Sequence, residues 1–223
     1  MAAATTRIVH NADAITWLQA QGKLVGASII TSLPDASELP RLGFDGWRRW
    51  FENAAALVMA CTADEGVAIF FQSDIKRGGL WVDKGALVSR AAERVGMDLL
   101  FHKIVCRKPP GTSSFGRATY AHMLGFGRGR QPGQKRARVD VLPDGGFQPG
   151  PKSMGVHACL DACRFVESET STRTVVDPFC GWGTVLAVAN ALGLDAVGVD
   201  IAPRMCGRAR KLSIELDRDQ TFP

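Results

Sequence analysis

A strand that runs directly into a glycine turn and then a helix is the tightest constraint in this sequence. Thr174-Val175-Val176 is a β-branched run, Asp177-Pro178-Phe179-Cys180-Gly181-Trp182-Gly183-Thr184 follows it, and the apolar stretch 185–192 continues as a helix. Gly181 and Gly183 let the backbone bend sharply and approach a ligand without a Cβ in the way, while the first free N–H groups of the helix point above the strand end. The unit reads as a cofactor pocket. Ala196-Val197-Gly198-Val199-Asp200 is a second strand, ending in a carboxylate placed where such folds hold a ribose by its hydroxyls. A pyrophosphate site would carry G-x-G-x-x-G, but Leu186 stands where the third glycine belongs, so the turn is not tuned for a dinucleotide.

The octapeptide resembles the first motif, D-P-F-x-G-x-G-T, of the S-adenosylmethionine-dependent methyltransferases that modify amino groups of DNA and RNA bases. The resemblance implies S-adenosyl-L-methionine as cofactor, held by Asp177, Pro178, Phe179, Gly181, Gly183 and Thr184, with Asp200 and Ile201 at the ribose. Other segments then find places. Asn11-Ala12-Asp13-Ala14 is similar to the strand end that meets the adenine amine, although the residues alone equally make Asp13 a helix N-cap. Lys152-Ser153-Met154-Gly155 resembles the motif before the glycine turn, which puts Lys152 or Ser153 at the cofactor carboxylate; helix capping explains Ser153 equally well.

The catalytic motif of the family is an Asp, Asn or Ser, two prolines and an aromatic at the end of a buried strand. Residues 25–31 are such a strand, followed by Ser32-Leu33-Pro34-Asp35: Ser32 and Pro34 match, Leu33 replaces a proline, and Asp35 stands where the aromatic would be. By resemblance, Ser32 and the Leu33 carbonyl accept hydrogen bonds from an exocyclic amine. Asp35 would add a carboxylate that accepts a proton or hydrogen bond, and the usual stacking ring is missing. Trp47, Trp50 and Phe51, on a helix over 44–63, read as core.

Net charge is +5, and its distribution says more than its sum. Residues 101–138 contain Lys103, Arg107, Lys108, Arg117, Arg128, Arg130, Lys135, Arg136 and Arg138 and no carboxylate, leaving the rest of the chain at −4. Such concentration is the footprint of phosphate binding. Residues 107–118 read as a substrate loop, with Arg107, Lys108 and Arg117 for phosphates and Phe115 as a stacking face. Arg128 and Arg130 open a Gly/Pro/basic linker over 127–151 with no periodic apolar pattern.

The motif order matches the circularly permuted, beta-type arrangement of the family. It implies one α/β methyltransferase domain over 1–223, with a catalytic half over 1–126 and a cofactor half over 152–223. The expected sheet is mostly parallel and seven-stranded, with one antiparallel strand and helices on both faces. Residues 104–106 and 123–126 are its last two strands, paired antiparallel, and 203–216 its last helix. The substrate is nucleic acid, with RNA favoured because little of the chain is left to read a DNA sequence. A DNA adenine-N6 or cytosine-N4 enzyme and a non-catalytic partner of an active methyltransferase are the alternatives, as monomer or homodimer. Six scattered cysteines and no run approaching the roughly 18 apolar residues of a membrane span point to a cytoplasmic protein with reduced thiols. Cys159 and Cys163 lie one helical turn apart and read as buried helix residues, with no metal expected; His157 reads as structural, without a visible partner.

Overall fold

Alternation of side chains along each strand sends successive apolar residues to opposite faces, and that is how this sheet is covered on both sides. The computed structural model describes residues 5–129 and 139–216. Its strands are β1 (Arg7–Asn11), β2 (Ala27–Thr31), β3 (Ala68–Gln72), β4 (Ile75–Arg77), β5 (Leu80–Val82), β6 (Asp98–Cys106), β7 (Tyr120–Gly127), β8 (Val141–Leu142), β9 (Thr174–Asp177) and β10 (Asp195–Asp200). The helices are α1 (Ala14–Gln21), α2 (Gly43–Cys61), α3 (Lys84–Arg94), α4 (Val156–Glu169), α5 (Thr184–Ala191) and α6 (Pro203–Lys211).

Eight strands form one sheet in the order β1-β10-β9-β2-β3-β7-β6-β8. β7 runs antiparallel to both β3 and β6, and the other neighbours pair parallel. Ile30, Ile69, Met123 and Val175 point into a core under α4, α5 and α6. Their neighbours Ile29, Phe70, Leu124 and Val176 point into a second core under α1, α2 and α3, where Trp47 and Phe51 are fully buried. No helix among the described residues is long and apolar enough to cross a membrane.

Two expectations need correction, and one element is new. The sheet has eight strands, because part of the expected linker, Val141–Leu142, pairs with Ile104–Val105 and buries Leu142. A two-residue strand gives no periodicity to read. β4 and β5 form a separate hairpin that no reading of the sequence anticipated. The last helix stops at Lys211 instead of Leu216. Cys159 and Cys163 are fully buried free thiols on α4, as their spacing implied.

Candidate functional site

The parallel strands β1, β10, β9, β2 and β3 all end at one edge of the sheet. The chain leaves β9 through α5 to β10 on one side, and β2 through α2 to β3 on the other, so a crevice opens between β9 and β2 where the winding reverses. A cavity of about 530 Å³ occupies this edge. It is lined by Asp13 from the end of β1, Ser32, Leu33 and Pro34 from the end of β2, residues 177–182 with Thr184 from the glycine turn, and Asp200 and Ile201 from the end of β10. Lys152, Ser153 and Met154 close it from the approach to α4.

The turn is held from inside. Asp200 accepts from Gly181 N through Oδ2 at 3.1 Å and from Ala202 N through Oδ1 at 2.8 Å, so one carboxylate orders the glycine turn and the start of α6 together. Gly183 has φ of 79°, and a Cβ there would lie 2.7 Å from Ala209 on α6. Close helix packing, instead of ligand approach, therefore demands that glycine. Thr184 is buried, and its Oγ1 has no hydrogen-bond partner among the described residues. Asp13 caps α1 by accepting from Thr16 N at 2.9 Å while still lining the cavity, so its two readings coexist. Ser153 does not cap α4, whose N-cap is Gly155; it donates to Gly150 O at 2.7 Å in a local turn. Lys152 sits at φ 63° with Nζ 3.4 Å from Glu38 Oε1. His157 has a partner after all, Asp144 at 2.8 Å, supplied by the segment read as linker.

Asp177 is fully buried, accepting from Thr31 Oγ1 at 2.7 Å and Phe179 N at 3.1 Å. Burial raises its pKa to about 7 despite those bonds. Folding thus favours its protonated form, so its contribution to stability is fully present below about pH 4 and is lost as pH rises to about 7. Urea denaturation across that window should show wild type losing stability relative to Asp177→Asn; parallel curves would refute the buried-acid assignment. Cys180 also lines the cavity, but burial keeps its thiol well above the usual range, which withholds a thiolate nucleophile.

The Ser32-Leu33-Pro34-Asp35 segment divides. The first three residues face the cavity, whereas Asp35 is outside its lining and ion-paired with Lys84, the first residue of α3, whose side chain is buried. The expected free carboxylate beside the acceptor is therefore an anchored one. Pro34 O accepts from Trp47 Nε1 at 3.0 Å, and Asp35 N donates to Glu38 Oε1 at 2.9 Å, so the segment is fixed on every side. Trp50 is half-buried: it packs against the core that holds Trp47 and Phe51 and also reaches the cavity. It lines the cavity edge-on to Phe179, ring centroids 6.0 Å apart. It stands about 60° round the helix from Trp47 and about 100° from Phe51, and the hydrophobic pattern alone treats all three alike.

No protein-family model matches the sequence, and no curated protein matches it. Solved structures do. TTHA0409 of Thermus thermophilus, provisionally named a DNA modification methylase, superposes with a TM-score of 0.70 over 93% of both chains at 20% identity. Its complex with S-adenosyl-L-methionine gives 0.69 over 93% of this chain and 94% of that one, at 21% identity. The cytosine-N4-specific PvuII DNA methyltransferase gives 0.68 over 96% and 89%, at 15% identity. The M1.HpyAVI complex with S-adenosylmethionine gives 0.64 over 92% and 99%, also at 15% identity. The chain has the fold of these methyltransferase structures.

Within that methylase fold the expected substrate residues separate into two groups. Arg107, Lys108, Phe115 and Arg117 lie exposed on the loop between β6 and β7; Arg107 Nη1 donates to Ser73 Oγ at 3.2 Å just past the end of β3. Arg128 lies at the far end of the sheet, donating to Thr62 O at 2.9 Å and Met59 O at 3.0 Å, where it caps the carbonyls that end α2. It is a structural cation, and its charge misleads because a capping arginine and a phosphate-binding one look alike in sequence. Arg130 lies outside the described residues.

Proposed function

We propose that this chain is an S-adenosylmethionine-dependent methyltransferase that modifies the exocyclic amino group of a base in DNA. The observation that carries the proposal is one cavity shared by the glycine turn, Asp200 and the Ser32-Leu33-Pro34 strand end. The residues present fit the cofactor. Thr184 offers an unpartnered buried hydroxyl beside the glycine turn, Asp13, Asp200 and Lys152 bring charges of both signs to the cavity, and Leu33, Met154 and Phe179 give it apolar wall. Asp13, Asp200 and Ile201 would hold the adenosine; Thr184, Lys152 and Ser153 would hold the amino-acid end. When bound, the cofactor supplies an electrophilic methyl group on a sulfonium.

Ser32 Oγ and the Leu33 carbonyl accept from the two N–H groups of the incoming amine, which keeps the nitrogen lone pair out of the ring and directed at the methyl group. Trp50 and Phe179 wall the acceptor and exclude water. The Asp35–Lys84 pair holds the segment still. The sequence favours RNA because the chain has little room for a sequence-reading region, but the solved neighbours of this size are named for DNA, and they favour the DNA alternative. The place of β1 at the edge beside β10 supports a permuted chain order.

The test is transfer of tritiated methyl from S-adenosylmethionine to unmethylated genomic DNA and to total RNA, followed by nucleoside mass spectrometry. Label in N6-methyldeoxyadenosine or N4-methyldeoxycytidine is expected. Label in RNA alone would move the substrate back to RNA, and cofactor binding without transfer to either pool would leave a non-catalytic partner.

A further inference from the structure

β4 and β5 form a hairpin closed by Gly78-Gly79, whose φ values of 55° and 81° make the primed turn that two-residue hairpins require. It follows β3 directly, so it stands at the same edge of the sheet as the cavity. Residues 76–81 are all exposed, with Leu80 at 75% and Trp81 at 51%. An isolated hairpin with its apolar pair in water is marginal, so this one is held at its base. Ile75 bridges to Arg117 on the 107–118 loop, and the Arg77 guanidinium lies 4.5 Å over the Phe44 ring at the start of α2. Asp74, at its foot, accepts from Tyr120 Oη at 2.9 Å and Lys84 N at 2.9 Å and pairs with His122 Nε2 at 3.0 Å.

Charge decides what such a tip can meet. Residues 75–82 carry Lys76 and Arg77, the adjoining loop carries Arg107, Lys108 and Arg117, and neither segment holds a carboxylate. The flanking Asp74 and Asp83 are engaged, Asp74 as above and Asp83 as N-cap of α3 through Ala86 N at 2.8 Å. Lys76 Nζ lies 4.5 Å over the Trp81 ring, and Phe115 on the loop is fully exposed. Aromatic faces interleaved with cations suit stacked bases between phosphates.

Resting on the methyltransferase reading, we propose that the hairpin is a base-contacting clamp for the nucleic-acid strand. Trp81 and Leu80 pack against base faces exposed when the acceptor nucleotide leaves its stack, and Lys76, Arg107, Lys108 and Arg117 meet the flanking phosphates. Anisotropy of a fluorescein-labelled mixed-sequence DNA duplex, with S-adenosylhomocysteine present, tests this on Leu80→Ser/Trp81→Ala. The variant should bind about tenfold more weakly, with an unchanged salt slope, because its phosphate contacts remain. Arg107→Ala and Lys108→Ala should each lower that slope by about 0.9. Both hairpin positions are exposed, so the melting temperature should not move. Equal binding by variant and wild type would overturn the clamp while leaving the proposed function standing. So would a wild-type dimer that the variant dissociates, since the tip would then be a protein contact. Failure of wild type to bind the duplex at all, with methyl transfer also absent, would remove both.

Discussion

Asp200→Ala should weaken S-adenosylmethionine binding by about ten- to hundredfold, the worth of one or two hydrogen bonds to a charged acceptor. The carboxylate lines the cavity and also accepts from Gly181 N and Ala202 N, so its removal takes away a ligand contact and loosens the turn that shapes the pocket. Asp200→Asn keeps an oxygen for one of those amides, and its loss should be smaller. Titration calorimetry measures both, and unchanged affinity in Asp200→Ala would remove the residue from the cofactor site. A fall in thermal stability that appears without cofactor and accounts for the whole affinity change would confine Asp200 to ordering the turn.

Asp35→Asn is expected to destabilise the protein by about 3 kcal/mol, because it leaves the buried Lys84 ammonium without its partner. For a chain of this size that corresponds to a melting temperature lower by roughly 6 to 12 °C. Replacing both partners, as Asp35→Leu/Lys84→Met, should recover most of the loss, since neither charge is then stranded. Calorimetric melting of the three variants distinguishes this role from general base catalysis. A base would show a large fall in turnover in Asp35→Asn at unchanged melting temperature, and the double variant would be as inactive as the single one.

Sequence reading succeeds where one residue type has one physical use. Glycines at a strand end and alternating apolar residues in parallel strands leave little choice, and the turn and the two-faced sheet follow from them, although Gly183 serves packing against Ala209 instead of ligand approach. It fails where a residue's partner is distant. Asp35 reads as a free carboxylate because Lys84 lies 49 positions away, and Arg128 reads as a phosphate contact because its carbonyl partner Thr62 lies 66 positions away. Trp50 groups with Trp47 and Phe51 because helical periodicity reports which face is apolar, not which part of that face borders a cavity. The hairpin escapes because three-residue strands carry too few side chains to show alternation, although Gly78-Gly79 between Arg77 and Leu80 is the dipeptide that marks such a turn.

The pairing of β1 with β10 has a consequence for how the protein is made. Arg7 aligns with Ala196 and Asn11 with Asp200, so β1 finds its only sheet neighbour among the described residues 189 positions later. β2, β3, β7 and β6 can pair among themselves while synthesis continues, but among the described residues β1 has no partner until β10 is made. Contacts of such long sequence separation form slowly and leave an unpaired strand exposed in the meantime. Since Asp13 after β1 and Asp200 at the end of β10 both line the cavity, a nascent chain cannot complete it until β10 is made.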